Sequence, residues 1–359
     1  MRLDCPTCKK LYQIPDDRLP TGKMVSFHCP ACKGFIKLDL RSNGAKGGGR
    51  PLSQTMKNDQ SKTPVPSIPS NGGSKNSQIL KQKILQSLTG SLPPLPHVLF
   101  KAQEVMSNPY SNLKALANVI AMDQSLTVRV LKLANSAYYG LAGKVTSIGH
   151  ASVLLGSKIL GEIIMMASTL NLLSKTLKGY GLKSEDLWRH SMAVAMGSKV
   201  IANRRFPELA NDAFTLGIIH DAGKIMLDDH VFERRRVFQE YIGGGQQTFL
   251  SAEKVILGLD HSEIGAEICT VWGVPEPLTT AIRYHHDPIH SQEKELTYIV
   301  HAADAVSHMG GIGSDGKGMP NQLDAGVMEF LGLQEEDLEG IIAEVAKIVD
   351  NLAEKVLHH

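Results

Sequence analysis

The chain has 359 residues, 42% of them hydrophobic and only 5% aromatic, so it exceeds one ordinary domain and builds its core on Leu, Ile, Val, Ala and Met. Its formal net charge is only +2, the N-terminus Met1-Arg2-Leu3-Asp4-Cys5 has no apolar leader-like run, and Lys158 and Glu162 interrupt the most apolar segment, Ala151–Leu173. These features predict a cytoplasmic chain without membrane contact. They also argue against a disulfide framework, because four of the five cysteines fall within the first 32 residues as two close pairs.

Those pairs define a first segment, residues 1–40. Cys5-Pro6-Thr7-Cys8 and Cys29-Pro30-Ala31-Cys32 are two C-x-x-C knuckles about twenty residues apart, near the spacing of structural zinc sites. Each turn brings two thiolates to one ion, and Cys5, Cys8, Cys29 and Cys32 together make a closed four-thiolate shell for Zn. So short a segment has little core, and metal binding would supply its folding free energy. A redox dithiol would call for a βαβ context that is missing here, and unpaired surface cysteines are the other alternative. With Leu11-Tyr12-Gln13-Ile14-Pro15 after the first knuckle and Gly34-Phe35-Ile36 after the second, the segment resembles the short bacterial zinc ribbon of regulatory proteins. Lys9, Lys10, Lys33 and Lys37 beside Tyr12, Phe27 and Phe35 either meet nucleic acid or are solvated charge around a mini-core.

Residues 41–77 are rich in Gly, Ser, Pro, Asn and Lys. They carry Arg41, Lys46, Arg50, Lys57, Lys62 and Lys75 against Asp59, which predicts a flexible basic tether. From Ile79 onward, apolar residues recur at helical spacing. Pro93-Pro94-Leu95-Pro96 is either a polyproline ligand or the opening of a helix at His97. Further helices are predicted at about 150–176, 184–204, 210–228, 231–243, 261–272, 276–286, 295–309, 321–331 and 335–356. The expected fold class is all-α beyond the first segment, with a main domain over 78–310 and a C-terminal helical extension over 311–359.

Polar residues interrupt these apolar helices at telling positions. His190 shares a stripe with Leu187, Val194 and Ile201, and His220 one with Ala213, Leu216 and Leu227, so both face inward. Asp221 adds a carboxylate beside His220, and Lys224 stands one turn later. His261, His285, His286 and Asp304 follow in similar settings. Taken singly, each histidine is more often a satisfied core or surface residue than a ligand. Taken together, buried imidazoles and carboxylates are costly unless paired or bound to metal, and the set suits Mn, Fe, Zn or Mg.

The order His190, His220-Asp221, His261, His285-His286, Asp304 resembles the HD phosphohydrolase superfamily. Residues of about 85–310 more closely resemble the HDOD domain, a regulatory relative in bacterial signalling proteins. That likeness is carried by Leu92-Pro93-Pro94-Leu95-Pro96, Asp123-Gln124-Ser125-Leu126, Ala134-Asn135-Ser136-Ala137-Tyr138-Tyr139-Gly140, Leu155-Gly156, Asp260-His261-Ser262-Glu263, Trp272-Gly273-Val274-Pro275 and His285-His286-Asp287-Pro288. It implies an HD-like helical bundle with one or two divalent ions within residues 180–310, held by His190, His220, Asp221, His261, His285, His286 and Asp304. It also implies Lys224 and Asp221 as catalytic groups if phosphoesters are hydrolysed, and Asp186 as a residue behind the ligands. HDOD domains act as signalling or scaffold modules, which implies signalling proteins as partners, with a nucleotide or other phosphate as a further ligand. The Gly-Tyr-Pro element of cyclic-dinucleotide phosphodiesterases is missing after His286, where Asp287-Pro288-Ile289-His290 follows. The favoured expectation is regulation; metal-dependent phosphohydrolysis is the alternative.

Overall fold

A computed structural model of the chain describes residues 2–4, 10–13, 24–28, 35–39, 75–91, 97–107, 117, 120 and, apart from 244–246, 293, 314–322 and 324, residues 123–357. The chain divides into two compact units, Met1–Ser67 and Ile68–His359. In the first, β1 (Arg2–Asp4) pairs antiparallel with β2 (Leu11–Gln13), and β3 (Met24–His28) with β4 (Phe35–Asp39). Cys5, Cys8, Cys29 and Cys32 lie outside the described residues, as do residues 41–74 of the tether expected over 41–77, whose last three residues instead open a helix, Lys75–Ser91.

The second unit is helical, with a single isolated bridge, Leu177 to Leu182, among its described residues. Its helices are α1 (Lys75–Ser91), α2 (His97–Ser107), α3 (Gln124–Ala134), α4 (Ile148–Leu173), α5 (Asp186–Arg205), α6 (Ala210–Ile219) and α7 (Ala222–Glu233). There follow α8 (Arg235–Ile242), α9 (Phe249–Leu257), α10 (His261–Val271), α11 (Glu276–Tyr284), α12 (Lys294–Met309), α13 (Ala325–Leu331) and α14 (Glu335–Val356).

Helices α2, α3 and α4 form one packed group. Asp123 caps α3 by accepting from Leu126 N at 2.9 Å. Helix α4 bends at Gly156, whose φ of 76° favours glycine, and beyond the bend Leu160, Ile163, Ile164, Met165 and Met166 are buried. Each such side chain contributes about 1.5–3 kcal/mol by leaving water. By length and composition α4 is the one membrane-span candidate among the described residues, yet half of its apolar window is buried within the fold.

The other group is built around α5, which packs against α6, α12 and α14. Helix α1 joins a smaller cluster in which Ile84 meets Leu227, Val231, Phe238, Ala252, Leu257 and Ile268. The sequence pattern predicts one helix over 210–228; two are found, and the break falls on His220 and Asp221. Glycines on either side of that break let three helices converge. A methyl on Gly217 would meet the Ala195 backbone of α5 at 2.5 Å, and one on Gly223 would run into the carbonyl oxygen of His261 at the start of α10. The residues 244–260, given no element from sequence, contain α9, which opens on a Thr248–Ser251 capping box and closes at Gly258 with φ 83°.

Candidate metal centre

Five elements bring their polar residues to one point. His190 comes from the second turn of α5, His220 and Asp221 from the α6–α7 break, His261 from the first position of α10, His285 and His286 from the end of α11, and Asp304 from α12. His220 and His285 are fully buried, and His190, Asp221, His261 and Asp304 are nearly so.

Three of the histidines are fixed in the same way. His220 Nδ1 donates to the Gly217 carbonyl at 2.9 Å, and His285 Nδ1 to the Ile282 carbonyl at 2.6 Å. His261 Nδ1 donates to Glu253 Oε2 at 2.7 Å. Carbonyls and carboxylates accept, so each Nδ1 carries the proton and each Nε2 presents its lone pair inward, as metal-binding imidazoles do. Asp260 caps α10 through Glu263 N at 2.8 Å and so sets the helix start that carries His261.

Asp221 lies between two sets of ligand atoms. Its Oδ2 is 3.6 Å from His190 Nε2 and 3.5 Å from His220 Nε2, while its Oδ1 is 3.3 Å from His261 Nε2. His261 Nε2 is in turn 2.8 Å from His286 Nε2. Asp304 Oδ1 lies 3.1 Å from His190 Nε2 and 3.9 Å from His220 Nε2. Atoms sharing an ion at about 2.0–2.2 Å are spaced by roughly this much.

Most of these close approaches are not hydrogen bonds. His190 Nδ1 and Nε2, His220 Nε2, Asp221 Oδ1, His285 Nε2, His286 Nδ1 and both oxygens of Asp304 are buried without a hydrogen-bond partner. Each such group costs about 1–3 kcal/mol, and more when charged. A divalent ion removes that cost, and the donor set of imidazoles and carboxylates fits one. His190, His220 and Asp221 form one group able to hold a metal, and His261, His285 and His286 another.

Electrostatics point the same way. Burial pushes His190 down, His220 to about 4, His285 to about 3 and His286 well below the ordinary imidazole range. Burial also opposes ionisation of Asp221, but Lys224, with Nζ 2.6 Å from Oδ2, together with His220, His261 and His190, outweighs it and holds the carboxyl well below its usual range. Around Asp304 burial is outweighed by His308 and His190. Burial keeps His190, His220, His285 and His286 neutral, while Glu253 raises His261, so the buried carboxylates face chiefly the Lys224 ammonium and that one ring, and negative charge is left in a dry site.

Sequence reasoning located the centre but not all of its surroundings. Asp186, expected behind the ligands, instead accepts from Lys183 N at 2.7 Å in an exposed turn. That supporting place is taken by Glu253, fully buried on α9, which also accepts from Tyr180 Oη at 2.7 Å and from His261 N at 2.9 Å. His308 was also missed; one turn after Asp304, it sits with Nε2 3.3 Å from Asp304 Oδ1. The i, i+4 spacing of Asp304 and His308 was the available signal. His301 donates from Nδ1 to the His285 carbonyl at 2.7 Å and so braces the end of α11.

A model of the HDOD domain family matches residues 92–288, more than half of the chain. An HDOD domain protein of unknown function from Geobacter sulfurreducens has a similar solved structure, with a TM-score of 0.65 and 25% identity over 79% of this chain and 99% of that one. A candidate phosphohydrolase from Shewanella amazonensis SB2B shares the fold at TM-score 0.59 and 24% identity, covering 76% and 97% of the two chains. A candidate signal transduction protein from Marinobacter aquaeolei VT8 does so at TM-score 0.59 and 22% identity, covering 77% and 64%. An uncharacterized protein of Treponema pallidum (strain Nichols) is 24% identical over 246 residues, 68% of this chain; the chain spans about half the length of that relative, 47%. Asp304 and His308 lie beyond the family match.

Proposed function

This chain belongs to the HDOD domain family, and from that premise we propose that it is a regulatory module of bacterial signal transduction, built around a buried metal centre and acting through contacts with signalling proteins. The observation that carries this reading is the burial of the centre. His190, His220, Asp221, His261, His286 and Asp304 have side chains 7% exposed or less, and His285 is fully buried. Structural metal sites are closed by protein ligands, whereas catalytic ones keep a position open to solvent and substrate. The centre is therefore read as one that holds the bundle together or reports a small ligand, with Mn, Fe, Zn or Mg as the ion.

The same proposal covers the N-terminal segment, with one zinc on Cys5, Cys8, Cys29 and Cys32, a tether over 41–74, the main domain from α1 at Lys75 to residue 310 and a helical extension over 311–359. A cytoplasmic setting without membrane contact fits this organisation. Nucleic-acid contact through the ribbon is a lesser part of it.

One observation favours a second reading, that of a metal-dependent phosphohydrolase on a nucleotide or phosphodiester. The Lys224 side chain is 15% exposed, more open than any of those ligand side chains, and its ammonium sits beside Asp221, where a phosphate would meet it. Bound divalent ions would there lower the pKa of water and polarise the phosphoryl group. Turnover of a phosphoester panel by metal-loaded protein separates the two readings. We expect no release of product from nitrophenyl phosphates, nucleoside triphosphates or cyclic dinucleotides. Metal-dependent hydrolysis of any of them, abolished by Lys224→Ala, would replace the regulatory reading with the enzymatic one.

A further inference from the structure

We propose that His308 is a metal ligand, completing with His190, His220, Asp221 and Asp304 a five-residue shell that fills one position of the centre entirely from protein side chains. This rests on the reading of the centre as metal-binding and adds what that reading leaves open, namely which position is closed.

The observation is the surroundings of a single oxygen. Asp304 Oδ1 has His190 Nε2 at 3.1 Å, His308 Nε2 at 3.3 Å and His220 Nε2 at 3.9 Å. It accepts a well-aligned hydrogen bond from none of them, although Asp304 is only 1% exposed. A carboxylate oxygen paired simply with its i+4 histidine would be bonded to it. Three imidazole nitrogens gathered around an oxygen without hydrogen-bond alignment are instead spaced as atoms facing a shared ion.

The rings agree with this. His190 and His308 have centroids 4.7 Å apart, and His190 and His220 5.3 Å. His190, Asp304 and His308 offer ligand atoms all within 4.8 Å of one another, as do His190, His220 and Asp221. The two groups share His190, so one ion near its Nε2 is within reach of both. His308 sits at the outer side, 16% exposed, where a solvent molecule would otherwise find the ion. Occupation of that place by a protein imidazole makes the position closed, in keeping with the burial of the centre.

The test uses the full chain loaded with Co(II), in the wild type and in His308→Ala and His308→Leu. Wild type is expected to take up cobalt beyond the zinc ribbon, with the weak visible absorption of a five-ligand ion. Both variants should bind one of these ions more than about a hundredfold more weakly, beyond the roughly 10–100-fold of changes behind the ligands. Their visible band should intensify as the ligand number falls, and added imidazole should return it to the wild-type form in His308→Ala. Circular dichroism checks that each variant is folded, and His308→Leu, which keeps side-chain bulk on α12, carries the test if the alanine variant is not. Unchanged affinity and spectrum in a folded variant would overturn the role of His308 alone. A wild type that takes up no cobalt beyond the ribbon would instead overturn the metal-centre reading itself, and this inference with it.

Discussion

Asp221→Ala will empty both metal positions together, whereas His220→Ala or His286→Ala will each weaken chiefly one. The difference follows from position. Asp221 Oδ2 serves the side of His190 and His220, and Oδ1 the side of His261, so its removal takes a ligand from both groups. It also strips Lys224 of the carboxylate 2.6 Å away. Burial by itself would push the Lys224 amine down; Asp221, by charge and hydrogen bond, reverses this and raises it. An ammonium left in that site without its partner costs about 3 kcal/mol, the low end for a broken buried pair because the side chain reaches the rim. Elemental analysis should show the loss of metal, and denaturant unfolding the loss of stability. Adding Lys224→Met to Asp221→Ala should recover much of the stability and none of the metal. Retention of either ion by Asp221→Ala would show that the two groups are not joined through this carboxylate.

Stripped of metal, the protein will lose stability steeply as pH falls from about 6.5 toward 4, and bound metal, which needs the same unprotonated ligands, will raise the whole profile without flattening it. His220 and His285 are held by burial at about 4 and about 3, and His190 and His286 are also lowered. The unfolded chain protonates these rings near pH 6.5 while the folded chain does not, so the unfolded state binds more protons and stability rises with pH across this window. Two such rings alone give a slope of about 2.7 kcal/mol per pH unit. His261 works in the opposite sense: burial lowers it, but Glu253 outweighs burial and raises it, so its contribution is present at low pH and fades as pH rises through its folded value. One ring against four leaves the acid loss dominant. Below about pH 4 the carboxyls of Asp221 and Asp304, held well below their usual range, add a further loss as the unfolded chain takes up their protons. Denaturant titrations of chelated and metal-loaded protein at several pH values measure this, and a chelated protein equally stable at about pH 6.5 and pH 4, or a metal-loaded profile flatter than the chelated one, would count against it.

Much of this site was legible because burial of a charged or polar ring is rare enough to stand out from an apolar helical pattern. His190, His220, Asp221, His261, His285, His286 and Asp304 all stand in such stretches, and the fold brings them together. What periodicity did not reveal was the break at His220. The apolar run Leu216–Ile219 continues the helical stripe without a Pro or a strong capping residue, and the break depends on Gly217 and Gly223 letting neighbouring helices approach. Glu253 was hidden for a different reason. A carboxylate on a short amphipathic helix reads as a solvated face, whereas in the fold Tyr180 and the start of α10 at His261 close over it. Asp186 failed because spacing by four residues places a side chain on a face and leaves its partner open; the Lys183 backbone takes it.

The central claim is that the helical unit is a metal protein, and elemental analysis tests it most directly. The full chain carrying Cys5→Ser, Cys8→Ser, Cys29→Ser and Cys32→Ser removes the ribbon's thiolates from the count. After loading with Mn, Fe or Zn and extensive dialysis, this variant is expected to retain about two ions per chain, one for each group of ligands joined by Asp221. No retained ion, in protein whose helical content matches the wild type, would contradict the account.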